Sequence, residues 1–332
     1  MPAATVENTL VLPRLARPAL SETTTERPVL KVITAPTTIE GEGFQVRRPF
    51  PGVDAGVADP FLLLDHWGAV EYAPGEAKGA PWHPHRGFET VTYVIDGAIQ
   101  HKDSTGGGGV ITDGATQWMT AGAGILHDEL PTDEIVTRGG LFHAVQLWVN
   151  LPKGLKFTPA RYQSIEPQSL KLLTSDDGGA LIRLIAGTLG EHEGPGVTWT
   201  PITYLHATIH AGGRIQLPWR PDFNALVYVM AGEGTVGPER RPLREGQMAV
   251  LGKGDVVTVE ANAVQASKTP DLEVLVLGGT PLREPVVFHG PFVMNTRDEI
   301  YDAIRDYHAG RMGTIPAVWL GGEAAGGAPN DN

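Results

Sequence analysis

Two short segments of this chain set metal-ligating side chains at alternate positions: His83-Pro84-His85 and His127-Asp128-Glu129. Along an extended strand, residues two apart share a face, so each segment presents a matched pair. Side by side, the two strands would offer three imidazoles and one carboxylate around a single point. Nitrogen and oxygen donors of this kind suit iron or another divalent first-row metal, and six-fold geometry would leave two positions free. Taken alone, His83-Pro84-His85 could equally be a loop with two hydrogen-bonded histidines. Pro84 weighs against that, because it biases His83 toward extended backbone and fixes its own φ. The carboxylate is not settled by the residues alone. By strand parity Glu89 shares a face with His83 and His85, as Glu129 does with His127.

The elements that must position these groups read as short strands. Glycine (42) and proline (27) are abundant, as turn-rich all-β chains require. From Val29 to Leu151, apolar runs such as Phe61 to Leu64, Thr90 to Ile95 and Ala144 to Val149 alternate with Gly, Pro and Asp. The run Gly106 to Gly109 has no Lys-Ser/Thr and no helix after it, so a hairpin turn is expected there and not a phosphate loop. Cysteine is absent, which excludes disulfides, thiolate metal sites and cysteine nucleophiles. The formal net charge is −12 with no basic stripe, which argues against direct nucleic-acid binding. No apolar stretch is long enough for a membrane span, and the first 28 residues lack the pattern of a secretory signal, so a cytoplasmic protein is expected.

A second series of strand-like segments runs from Thr200 to Leu277 and echoes the first. Tyr93-Val94-Ile95-Asp96-Gly97 lays on Tyr228-Val229-Met230-Ala231-Gly232, and the same offset puts His83, His85 and Glu89 on Pro218, Arg220 and Asn224. The second half keeps the strand pattern and loses the ligands. Near the end, Asn295 is a candidate cap for a helix over 296–309. Ile300, Ile304 and Tyr307 would form its buried face, and Gly310 would stop it. The expected division is a flexible extension over 1–28, a metal-binding domain over 29–152, a connecting segment over 153–199, a second domain over 200–320 and a disordered tail over 321–332.

The words around the histidines carry a resemblance. PWHPHRGFETVTYVIDG, from Pro81, resembles the first motif of the cupin superfamily, and TQWMTAGAGILHDE, Thr116 to Glu129, resembles the second. In these words, and in DPFLLLDHWG, FHAVQLWVNLP and PLREPVVFHGPFVMNT, the chain is similar to the pirins over roughly residues 29–312. The resemblance implies a bicupin: two jelly-roll β-barrels, a metal in the first only, and a short C-terminal helix. It also implies His83, His85, His127 and Glu129 as ligands, with Glu89 close by. Gly122 stands where many cupins have proline, and Glu129 lies outside the general cupin ligand pattern.

Iron is the metal expected, with manganese, nickel, cobalt, copper and zinc tolerating the same ligands. Since pirins include quercetin 2,3-dioxygenases, the resemblance implies dioxygen chemistry on a flavonol-like, metal-chelating aromatic substrate, with Glu129 as its base. Other pirins act as regulatory partners of transcription factors or metabolic enzymes, which makes a metal-dependent binding protein the competing reading. A third is a metal that only braces the barrel. Arg86, one residue past a ligand, is a candidate contact for an anionic substrate or intermediate, against the plainer reading of a surface charge. Gln146 is a candidate pocket residue, and His66 is a further pocket candidate or a framework residue. Gln117, Trp118 and Met119 are expected in the barrel core, and His101 and His143 near the site or in solvent. No Gly-x-Ser-x-Gly nucleophile motif is present. A monomer is expected.

Overall fold

The computed structural model describes residues 5–266 and 269–315. The chain is all-β, with two cupin domains and a short C-terminal helix, and each domain pairs a seven-stranded sheet with a four-stranded one. In the first domain the large sheet is centred on Phe88–Asp96 and Gly140–Asn150. Its small sheet brings Ala80–His85 beside Ile125–Pro131, followed by Ala98–Asp103 and Gly108–Thr112. The second domain repeats the plan around Ala225–Ala231 and Leu272–Gly279. Gly106 and Gly107 fall between Ala98–Asp103 and Gly108–Thr112, which form the expected hairpin.

The large sheets of the two domains pack against each other. Val91, Tyr93 and Ile95 meet Leu226, Tyr228 and Met230 in one apolar core, so the echoed words lie face to face. Alternation sends the intervening residues into each barrel. In the second domain these are Ala225, Val227 and Val229, part of an apolar cluster that also holds Ile215 and Leu217. At the echoed positions the first domain has Thr90, Thr92 and Val94. Two hydroxyls replace two apolar side chains, and this barrel keeps a polar interior.

The domains exchange edges. Val29–Thr34, expected to open the first domain, pairs with Gln247–Leu251 in the second domain's sheet. Arg161–Ile165 returns to the first domain against Thr116–Thr120, while Lys171–Thr174 and Ala180–Ala186 join the second. The segment 153–199 is therefore shared between both sheets and is not a linker. Residues 5–28 lie along the second domain and are not a free extension. Leu15 and Arg27 make backbone hydrogen bonds to Thr174 and Val256, and the Arg27 guanidinium, in a residue 1% exposed, donates to three carbonyls there. Apolar exposed-edge pairing and an arginine placed to saturate carbonyls explain this; a polar run such as Ser21 to Glu26 does not reveal it.

The C-terminal helix spans Arg297–His308 and is capped by Thr296, not Asn295. The Thr296 hydroxyl accepts from Glu299 N while the Glu299 carboxylate accepts from Thr296 N, so both ends of the capping box are satisfied. The Asn295 amide instead donates to Pro285 O. Ile300 and Ala303 form the helix's buried side, whereas Tyr307 is 39% exposed. The tail expected over 321–332 lies outside the described residues. Among the described residues no helix is long and apolar enough to cross a membrane.

Candidate metal centre

Ala80–His85 and Ile125–Pro131 are adjacent antiparallel strands, with His127 paired to His83. The ring nitrogens that His83, His85 and His127 direct toward one another lie within 4.8 Å. His83 Nδ1 donates to Pro81 O at 2.8 Å, and His85 Nδ1 donates to Pro291 O at 3.3 Å. Each Nδ1 therefore carries a proton, and each Nε2 is left to face the centre. Those two Nε2 atoms are 3.1 Å apart. Two ring nitrogens come this close when a proton or a metal cation lies between or beside them. His127 adds a third unsatisfied group: it is 1% exposed, and neither ring nitrogen has a hydrogen-bond partner. Burial, and the neighbouring histidines, hold His85 and His127 well below the usual imidazole range, so both are neutral as metal ligands must be. The donor set fits a divalent metal.

Glu129 is outside the mutually close trio but opens onto the same cavity. It is 7% exposed and so is not a surface carboxylate of the acidic stretch. Thr92 Oγ1 donates to Glu129 Oε1 at 3.1 Å, and the Gln146 amide donates to both carboxylate oxygens at 2.9 Å. Trp148 Nε1 in turn donates to Gln146 Oε1 at 2.9 Å. Period-two alternation along Gly140–Asn150 puts Gln146 and Trp148 on one face, a signal that was available in the sequence.

Glu89 lies on the other side of the sheet. Between His85 and Phe88 the chain turns through Gly87 at φ +90°, which breaks the parity that put Glu89 with the histidines. Phe88, Thr90 and Thr92 face the barrel, while Glu89 accepts from Thr120 Oγ1 at 2.6 Å on the opposite face. Burial there pushes its carboxyl up to about 7, against the lowering effect of that hydroxyl. Arg86 also points away from the site. It donates to Ala123 O and pairs with Asp306 of the C-terminal helix at 2.8 Å, so it braces the fold. His66 is remote as well: it bonds His143 and Tyr228 between the domains.

Other neighbours gave less warning in the sequence. His101 packs with its ring centroid 5.1 Å from that of His127, and its Nε2 meets the Tyr162 hydroxyl at 3.1 Å. Met119 accepts from the same hydroxyl, whereas Trp118 turns outward into the core between the domains. A cavity of about 610 Å³ opens onto His83, His85 and Glu129, walled by Trp82, Trp148 and Phe288. Phe288 belongs to the second domain and stacks on Trp148 at 5.8 Å with 4° between the planes.

A chain of two such barrels has counterparts among known proteins. The family model described as pirin matches residues 43–149, and that of the pirin C-terminal cupin domain matches 204–313. The chain belongs to the pirin family. A Pseudomonas aeruginosa protein provisionally named a quercetin 2,3-dioxygenase is 41% identical over 275 residues, covering 82% of this chain and 93% of that one. Rat pirin is 38% identical over 278 residues, covering 82% and 89%. The crystal structure of a quercetin 2,3-dioxygenase from Acinetobacter baumannii superimposes with a TM-score of 0.81 at 38% identity, covering 87% of this chain and 99% of that one. The C-terminal cupin domain of this pirin carries Pro218, Arg220 and Asn224 at the positions that echo His83, His85 and Glu89.

Proposed function

We propose that the chain is a mononuclear iron oxygenase of the quercetin 2,3-dioxygenase type, acting on a flavonol or similar planar chelating enolone. The observation that carries this reading is a trio of mutually close imidazoles, two of which, His83 and His85, open with Glu129 onto a cavity of about 610 Å³ with aromatic walls. Relatives bearing the dioxygenase name support it. His83, His85 and His127 would hold the metal. When bound, iron supplies a Lewis-acidic and redox-active centre for a chelating substrate and dioxygen.

The chain's own residues bind, orient and take the proton. Trp82, Trp148 and Phe288 offer flat apolar surface to a polycyclic aromatic and exclude water from it. Glu129 is the proposed base for the substrate hydroxyl. An ionised carboxylate has about four acceptor positions, and Thr92 with Gln146 occupies three, leaving one on Oε2. That lone pair can receive the proton or serve the fourth-ligand role the resemblance implies, one at a time.

The test is oxygen uptake and loss of flavonol absorbance with quercetin, using anaerobically iron-loaded protein beside His127→Ala. Turnover absent from the variant supports both site and reaction. No turnover from protein carrying stoichiometric Fe(II) would overturn the dioxygenase reading and favour a metal-dependent binding partner.

A further inference from the structure

We propose that residues 288–291 of the second domain are working parts of the metal centre, orienting His85 directly and Glu129 through Trp148 and Gln146. This rests on the reading that the histidine trio holds a metal. Pro291 and Phe288 lie between the strands Leu272–Gly279 and Phe292–Met294, far along the chain from any ligand. Yet Pro291 O is the acceptor that fixes the His85 tautomer, and without it Nδ1 and Nε2 would compete for the metal-facing position.

The second arm of the contact is a relay. Phe288 stacks on one side of Trp148, and Phe88 and His85 pack against the same indole with ring centroids 4.3 and 5.2 Å away. The indole is thereby held with Nε1 toward Gln146 Oε1. An indole N–H can only donate, so it decides which way the Gln146 amide faces. With the oxygen claimed by Trp148, the NH₂ must point to Glu129, where it meets both carboxylate oxygens. A free amide could rotate and turn its oxygen on the carboxylate, releasing it.

The segment is anchored firmly enough to transmit orientation. Val293 N donates to Arg86 O, Lys156 Nζ donates to Val293 O and Gly87 O, and Arg86 pairs with Asp306. The second domain, which holds no candidate metal cluster among the described residues, thus reaches both ends of the donor set in the first.

The experiment is a titration of full-length, metal-free protein with Co(II), followed by its visible ligand-field bands, for wild type, Trp148→Phe, Phe288→Ala, Gln146→Ala and the Trp148→Phe/Gln146→Ala pair. Trp148→Phe keeps a stacked ring and removes the N–H. It should shift the Co(II) bands and weaken binding by about tenfold, the lower end of the loss expected when a ligand's outer partner is removed. Phe288→Ala should move both readouts in the same direction, and the double variant should bind no worse than Gln146→Ala, because both changes break one relay. Melting of the metal-free proteins reports on packing separately. Wild-type bands and affinity in both Trp148→Phe and Phe288→Ala would overturn the proposal and reduce the contact to apolar cover. A wild type that binds Co(II) but consumes no flavonol counts only against the proposed reaction, whereas one that binds no Co(II) overturns both.

Discussion

The Tyr93 hydroxyl of the first domain meets His206 Nδ1 of the second at 3.0 Å, and the Tyr228 hydroxyl of the second meets His66 Nδ1 of the first at the same distance. The two tyrosines are the echoed positions of the repeated word, so each domain lends a hydroxyl to the other's histidine. His206 Nε2 donates to Glu273 at 2.7 Å, which leaves Nδ1 as the acceptor for Tyr93. Burial, with the Arg183 guanidinium, pushes His206 down to about 4 and keeps it neutral.

Tyr93→Phe leaves His206 Nδ1 buried without a donor. The expected cost is about 1–2 kcal/mol in urea denaturation. Co(II) binding should stay at the wild-type level, since Tyr93 faces the other domain and not the metal cavity. A variant as stable as wild type would show that the reciprocal pair contributes nothing net.

Glu89 gives a pH dependence of defined sign. Its carboxyl ionises near 4.5 in the unfolded chain and about 7 in the folded one. Between these values the folded state holds the extra proton, so stability is full below about 4.5 and falls as pH rises toward 7, by on the order of 3 kcal/mol. His206 acts oppositely: with a lowered folded value, it costs stability as pH falls from 6.5 toward 4. The total slope is therefore not diagnostic, but the difference between wild type and Glu89→Gln is. Relative to wild type, Glu89→Gln should gain stability steadily from pH 5 to 7.5. A difference that does not change with pH would remove the buried carboxyl from the account.

Metal addition should raise the melting temperature, since only the folded chain assembles the trio. Free metal at a hundredfold over its dissociation constant adds about 2.7 kcal/mol. His127→Ala should abolish that increment. It should leave the metal-free protein near wild-type stability or above, because the ring it removes is buried with two unsatisfied nitrogens. An undiminished metal response in the variant would place the ion elsewhere.

The sequence made the trio legible because strand alternation and antiparallel pairing are local rules, and both hold at His83, His85 and His127. Parity misled at Glu89 because one glycine, Gly87, takes a positive φ that no count of spacings contains. The partner of Arg86 was not visible for a related reason: a residue beside a ligand in sequence is on the opposite face of an extended strand, and here that face carries the Asp306 contact. Phe288 and Pro291 had no local signal at all. Their roles come from the packing of one domain on the other, as do the exchanged edge strands Val29–Thr34 and Arg161–Ile165. The helix was visible from its periodicity, but its cap moved by one residue because the Thr296 hydroxyl takes Glu299 N while the Asn295 side chain is turned to Pro285 O.

Lys156 is the buried fastener between the metal strand and the second domain. It is 1% exposed, and its ammonium donates to Gly87 O and Asn150 Oδ1 at 2.8 Å and to Val293 O at 2.9 Å. Gly87 is the corner that follows His85, and Val293 belongs to the strand beside Pro291, so one charge ties the ligand corner to the segment that orients it. Burial lowers the ammonium to about 8, yet three oxygens at full hydrogen-bond distance fit three donors. Lys156→Met has similar length and fills the space while leaving those acceptors dry. The expected loss is on the order of 3 kcal/mol in urea denaturation, since the acceptors lose their donor with no water to replace it. Because the loss falls on the segment holding His85, Co(II) affinity should fall with it, which Tyr93→Phe, destabilised away from the ligand corner, should not reproduce. A Lys156→Met protein losing stability but binding Co(II) as wild type would confine the lysine to packing and detach the ligand corner from the second domain's grip.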